Sequence, residues 1–115
     1  MTVKNVLCVD DEPIWRTILQ MHFRGYLTLD VDFAENYASG LEKIKQRYYH
    51  LIILDGLKGD CFRICEDIQT LPHGEVFIFS GNSQIEIEAK KRGHTFYSKS
   101  RATKFLDEIV DKYSV

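Results

Sequence analysis

Certain side chains of this 115-residue sequence are of the types that handle phosphoryl groups and hard cations, and their spacing lets a sheet bring them together. Asn5-Val6-Leu7-Cys8-Val9 runs into Asp10-Asp11-Glu12, and Leu51-Ile52-Ile53-Leu54 runs into Asp55. If these runs are neighbouring parallel strands, Asp10, Asp11 and Asp55 meet at one sheet edge, beside later strands that end in Ser80 and Lys99. Carboxylates gathered in a partly buried cleft repel one another unless a cation or protons relieve them. Oxygen donors without histidine or thiol favour a hard ion such as Mg2+, which keeps several waters and takes few protein carboxylates. Each group also has an ordinary structural reading. Acidic residues ahead of Pro13 suit a helix N-terminus, and Asp55 suits a cap or turn. Ser80 before Gly81 suits a turn, and a lone lysine suits solvent. The helix-dipole reading leaves Asp55 unexplained, however. A hydroxyl and an ammonium at the ends of the next two strands would bind the oxygens of a phosphoryl group held on Asp55, so the set makes a site for a divalent metal and a phosphoryl group.

Positioning these groups calls for a parallel sheet, and short apolar runs do alternate with helical patterns five times along the chain, as in repeated βα units. Pro13 at the first helical position opens a helix that carries Ile14, Ile18, Leu19 and Phe23 inward until Gly25 stops it. A strand over Leu29 to Phe33 follows. A second helix, about Tyr37 to Tyr48, places Leu41, Ile44 and Tyr48 on one stripe. The strand Leu51 to Leu54 is apolar on both faces, which makes it central. A third helix from about Asp60 buries Cys61, Ile64, Cys65 and Ile68, ends at Leu71-Pro72, and leads to a strand over Val76 to Phe79. Ser83 and Glu86 have capping-box spacing for a fourth helix, poor in apolar residues, that Gly93 terminates. Thr95 to Tyr97 is a short fifth strand, and Ala102, Phe105, Leu106, Ile109, Val110 and Tyr113 mark a closing amphipathic helix. The expected fold is α/β, a doubly wound five-stranded parallel sheet with five helices. In the order 2-1-3-4-5 the strand order reverses between strands one and three, where Asp10, Asp11 and Asp55 would converge.

Composition bounds the rest. At 44% hydrophobic and 12% aromatic, residues 1–115 suffice for one small domain with an ordinary core. A formal charge of −2 from 15 basic and 17 acidic side chains leaves no electrostatic footprint for nucleic acid or an anionic membrane, which points to proteins or small molecules as partners. No apolar run approaches the roughly 18 residues that span a bilayer, and Met1-Thr2-Val3-Lys4 enters the first strand without a signal-peptide core, so a cytoplasmic location is expected. Cys8 lies inside a strand while Cys61 and Cys65 share a helical face, and all three read as buried reduced thiols.

From Val3 to Tyr113 the chain resembles the receiver domain of bacterial response regulators, the phosphoaspartate switch of two-component signalling. The ordered set V-D-D-E-P, I-I-L-D, F-S-G and Y-S-K carries the resemblance. It implies the flavodoxin-like fold of receiver type, with Asp10 and Asp11 as the metal-binding acidic pair, Asp55 as phosphoacceptor and the Leu57 backbone carbonyl as a further metal ligand. It also implies Ser80 as the hydroxyl that shifts toward the phosphoryl group, Lys99 as its ion-pairing lysine and Phe96 as a rotating aromatic switch; plain packing on the last strand is the other reading of Phe96. The implied cofactor is Mg2+. The implied donor is a sensor histidine kinase, a histidine phosphotransfer protein or a small acyl or amido phosphate. Output would pass to a downstream protein target or a self-dimer through the face made by helix four, strand five and helix five, and the chain would catalyse only its own phosphorylation and dephosphorylation.

Three features depart from the family pattern. Ser100 follows Lys99 where proline and a cis peptide are usual; a non-proline cis bond costs about 2.5 to 4 kcal/mol, so the peptide is either trans with a reshaped loop or held strained. The segment Gly56-Leu57-Lys58-Gly59-Asp60 lacks the usual Met-Pro and Asp-Gly and is shortened by about three residues. The Ser83 to Arg92 helix is unusually polar. The shortened loop and the Ser100 departure suit a rival reading, a pseudo-receiver acting as a phosphorylation-independent interaction module. An aspartyl-phosphate hydrolase would want a second acid two residues after its nucleophile, where Asp10 offers only Glu12 and Asp55 offers Leu57. A flavodoxin would want a hydroxyl-rich or Gly-rich first loop in place of an acidic one.

Overall fold

The computed structural model describes residues 2–115. Five strands, β1 (Lys4–Val9), β2 (Leu29–Ala34), β3 (Leu51–Leu54), β4 (Glu75–Ser80) and β5 (Thr95–Ser98), form one parallel sheet in the order β2-β1-β3-β4-β5. Five helices connect and close it: α1 (Pro13–Phe23), α2 (Tyr37–Gln46), α3 (Asp60–Asp67), α4 (Ser83–Lys91) and α5 (Ala102–Tyr113). Fold class and strand order are those expected. None of these helices is long and apolar enough to cross a membrane among the described residues.

Alternation along the strands builds two cores. Val6, Cys8, Leu51, Ile53, Phe77 and Phe79 face α1 and α5, where Leu19, Phe23, Phe105, Leu106 and Ile109 meet them. Leu7, Val9, Ile52, Leu54 and Ile78 face the opposite layer and meet Ile44, Cys61, Ile64 and Ala89. All four residues of β3 are buried, as a central parallel strand requires. Burial pushes the Cys61 and Cys65 thiols up to about 12 and about 11, and all three cysteines are free, Cys8 and Cys61 buried as expected and Cys65 only partly so.

Three local expectations are corrected. In α1, Ile14 and Ile18 are 65% and 38% exposed, while Leu19 and Phe23 are buried and Trp15 packs on the same core. Trp15, Leu19 and Phe23 recur every four residues, so turning the indole inward rotates the two isoleucines into solvent. Helix α2 stops at Gln46 because Arg47 goes extended and pairs with Asp30 at 2.6 Å and Asp32 at 3.0 Å. The parity therefore shifts: Tyr48 is 46% exposed and Tyr49 is buried in its place, its hydroxyl donating to Asp32 at 2.6 Å. Finally, α4 is capped by Asn82, whose side chain accepts from the amides of Gln84 and Ile85, so Ser83 is the first helical residue and not the cap.

Candidate functional site

Sheet register brings the two acidic loops together. Val9 lies opposite both Ala34 and Leu54, so the next residues on β1 and β3, Asp10 and Asp55, leave the sheet side by side. Their amides complete the ladder, Asp10 donating to the Ala34 carbonyl at 3.0 Å and Asp55 to Val9 at 2.8 Å. Ser80 and Ser98 pair at the ends of β4 and β5, which delivers Ser80 and Lys99 to the same edge. The cleft there, about 810 Å³, is lined among others by Asp11, Glu12, Trp15, Asp55, Leu57, Lys58, Ser80, Asn82, Ile85 and Lys99.

Asp10 is buried and fixed at both oxygens, accepting from the Glu12 amide at 2.9 Å and lying 2.9 Å from the Lys99 ammonium. Asp55 is buried beside it and accepts from Lys99 at 2.6 Å and from the Leu57 amide at 3.2 Å. Lys99 reaches Glu12 as well, at 3.5 Å. Burial alone would depress the Lys99 ammonium, but the hydrogen bonds and charges of Asp55 and Asp10 outweigh it and hold the group above the usual lysine range. Ser80 is buried, and its hydroxyl oxygen accepts from the Asn82 amide at 3.1 Å. Gly56 permits this crowding: a Cβ there would lie 3.0 Å from Ile85 and 3.2 Å from the Ser80 hydroxyl.

The peptides at Lys99 and Ser100 are trans, as all are among the described residues. Where proline would stiffen the turn, the Ser98 hydroxyl accepts from the Ser100 amide at 3.2 Å and lies 2.8 Å from the Ser100 hydroxyl. Lys99 to Arg101 then form one 3-10 turn into α5, and the lysine still reaches Asp55. Phe96 stands apart from the acidic cleft. It is half-buried on β5, packed against the α2–α4 core layer, and lines a second cavity between α4 and α5.

The short loop after Asp55 has its own cost. Leu57 and Lys58 both adopt left-handed backbone (φ +50° and +56°), followed by Gly59 at φ +99°, and this tight turn feeds α3 directly. A left-handed non-glycine residue costs roughly 1 to 2 kcal/mol, against about 0.5 to 1 kcal/mol of backbone entropy for glycine. Exposed Lys58 is therefore expected to tolerate Lys58→Gly with a gain of about 0.5 to 1 kcal/mol, read as a higher urea midpoint at unchanged slope. A loss of stability would mean that the lysine side chain holds the turn. The Leu57 carbonyl, expected as a metal ligand, accepts the Asp60 amide in this turn.

One carboxylate oxygen from each of Asp10, Asp11, Glu12 and Asp55 lies within 4.8 Å of the others. Glu12, which sequence reasoning treats only as a helix N-terminal acid, thus joins the three aspartates; its place directly after the acidic pair was the available signal. Burial first, with the Asp55 charge adding to it against the Glu12 amide and Lys99, raises Asp10 to about 6. Asp11 is raised by burial and by sharing a hydrogen bond with Asp55. Excess negative charge on an all-oxygen donor set fits Mg2+. The sign for Asp10 is that of an acid whose folded value is raised. Its stabilising contribution is complete below 3.8 and disappears as pH rises through about 6. The metal-free protein should therefore lose on the order of 2 to 3 kcal/mol between pH 4 and 7. Mg2+ affinity should run the other way, about tenfold weaker at pH 5 than at pH 7, and weaker again in Asp11→Ala. Calorimetric titration reads both; identical titrations of wild type and Asp11→Ala would place the cation elsewhere.

A family model described as the response regulator receiver domain matches residues 6–109. None of the curated proteins compared with this sequence matches it. Among solved structures, the signal receiver domain of NarL from Mycobacterium tuberculosis is similar at 22% identity and TM-score 0.79, over 98% of each chain. The receiver domain of sensor histidine kinase PA1611 from Pseudomonas aeruginosa PAO1, which has a magnesium ion coordinated in its active-site cleft, is similar at 17% identity and TM-score 0.81, over 98% of each chain. The phosphorylated cyanobacterial phytochrome response regulator RcpA gives 17% identity and TM-score 0.80, over 97% of this chain and 94% of its own. These likenesses concern the fold, whereas the family match spans most of the sequence together with its acidic pair, Asp55, Ser80 and Lys99: the chain belongs to the response regulator receiver domain family.

Proposed function

We propose that this chain is a phosphoaspartate switch that accepts a phosphoryl group on Asp55 from a histidine kinase, a histidine phosphotransfer protein or a small acyl or amido phosphate. The observation that carries the reading is the buried contact of Lys99 with Asp55 at 2.6 Å, inside a cluster of four carboxylates. Asp55 is the one carboxylate that ends the central strand and touches both the acidic cluster and the cation. Its oxygen attacks phosphorus, and the donor's bond to phosphorus breaks with the electron pair leaving on the donor. Asp10, Asp11 and Asp55, with Glu12 adjoining and the Leu57 carbonyl at the rim, would hold Mg2+. Bound there, the ion supplies positive charge to the transferred oxygens. Lys99 donates to those oxygens, and the Ser80 hydroxyl, whose oxygen accepts from the Asn82 amide, donates its O–H to them. The magnesium in the PA1611 receiver and the phosphorylated state of RcpA support the same assignment.

The signal leaves through α4, β5 and α5. A Ser80 hydroxyl drawn toward the phosphoryl group vacates space that Phe96 turns into, and the altered face binds a protein target or a second copy. Phosphorylation with Mg2+ is therefore expected to shift amide signals from Ser80 to Tyr97 more than those of α2, because differential free energy enters on the Ser80 and Lys99 side. Shifts confined to the Asp10 to Asp55 side would remove the switch and keep the phosphoacceptor. The left-handed Leu57-Lys58 turn favours a second reading, an interaction module that works without phosphate. An unchanged spectrum with donor and Mg2+ present would select it.

A further inference from the structure

The first turn of α1 places the only tryptophan of the sequence against the site. Trp15 lines the cleft, meets Phe79 edge-on at 5.5 Å, and has the Lys99 ammonium 5.0 Å from its ring centroid. Phe79 lies beneath the same ammonium at 5.9 Å. Helix α1 adopts this orientation although it leaves Ile14 and Ile18 in water. Nothing in the acid, hydroxyl and lysine chemistry described so far uses the indole.

We propose that Trp15 is a positioning residue for Lys99, its ring holding the ammonium over Asp55 while the ionic partners of that ammonium change. This rests on the phosphoacceptor reading. Lysine carries its charge on a flexible four-carbon stem, which the Ser98 and Ser100 turn fixes only at its backbone. In the unmodified protein the ammonium is shared among Asp10, Glu12 and Asp55 at 2.9, 3.5 and 2.6 Å. Two of those partners change in phosphorylation: the attacking Asp55 oxygen becomes the bridging oxygen of an acyl phosphate and loses its charge, and Asp10 belongs to the metal set. An aromatic face attracts the cation in either state, needs no hydrogen-bond geometry and leaves all three N–H donors for phosphoryl oxygens. The edge-on contact with Phe79 in turn fixes the indole plane.

The test is the initial rate of Asp55 labelling by acetyl phosphate with Mg2+ in Trp15→Phe and Trp15→Leu, each made with Lys99 intact and in Lys99→Met. Cation–π strengths correspond to about 2- to 30-fold in rate, so Trp15→Leu should label roughly tenfold more slowly and Trp15→Phe within about threefold of wild type. In Lys99→Met, the two tryptophan variants should label alike. Without any donor, the Lys99 ε-methylene protons should resonate upfield in wild type and Trp15→Phe, and return toward random-coil positions in Trp15→Leu. Equal slowing by Trp15→Leu in both backgrounds, or wild-type labelling in Trp15→Leu, overturns the proposal while the phosphoacceptor stands. A wild type that takes up no label removes the phosphoacceptor and this inference together.

Discussion

Lys99→Ala is expected to cost the metal-free protein about 3 kcal/mol at neutral pH, because it leaves the buried carboxylates of Asp10 and Asp55 without their cation. The side chain is 7% exposed, so solvent screens these pairs little. Two effects should then reduce the loss. Protons reoccupy Asp10 below about pH 6, so the gap between variant and wild type narrows on acidification. Mg2+ binds the carboxylates that lost their counter-ion and stabilises the folded variant by mass action. Urea unfolding at pH 5 and pH 7.5, with and without Mg2+, measures all of this. A loss independent of both pH and Mg2+ would assign the contribution of Lys99 to packing of its side chain against Trp15 and Phe79 instead of to charge. Labelling of Asp55 should persist in this variant but more slowly than in Trp15→Leu, since the ammonium stabilises charge on the transferred oxygens and does not itself form the bond.

The fold was legible because the signals that specify it are periodic. The apolar runs at Val6, Leu51, Val76 and Thr95 and the helix stops at Gly25 and Gly93 bracket the observed elements to within a residue or two. The failures are local competitions that periodicity does not register. Ile14 and Ile18 satisfy an inward stripe as well as Trp15 does, but it is the indole that packs on the core, meeting Phe79 and the Lys99 ammonium. Tyr48 continues the α2 pattern, but Arg47 leaves the helix for Asp30 and Asp32, partners that sit on another strand. Asn82 outcompeted Ser83 as cap because its side chain reaches two amides.

The candidate site was legible as a set of strand ends, which is why Asp10, Asp11, Asp55, Ser80 and Lys99 could be expected at one sheet edge before any geometry. Its refinements depended on loop conformation. The Ser98 and Ser100 turn that keeps Lys99 near Asp55 without proline has a sequence signal, paired hydroxyls flanking the lysine, yet its effect on the ammonium is a three-dimensional matter. The left-handed Leu57-Lys58 turn has none, since neither residue type favours that conformation.

Asp55→Asn bears on the central claim more directly than any other change. Asparagine is nearly isosteric with aspartate, keeps one oxygen to accept from Lys99, and removes one of four crowded negative charges, so the fold and its thermal transition should be retained. The amide lacks the nucleophilic carboxylate oxygen. The decisive measurement is intact mass after incubation with acetyl phosphate, comparing wild type with Mg2+, wild type with chelator, and Asp55→Asn with Mg2+. One added phosphoryl mass is expected in the first sample and none in the other two. Continued labelling of Asp55→Asn would contradict the assignment of the site, and a folded wild type that stays unlabelled with acyl phosphate, amido phosphate and phosphohistidine donors would contradict phosphorylation as its function.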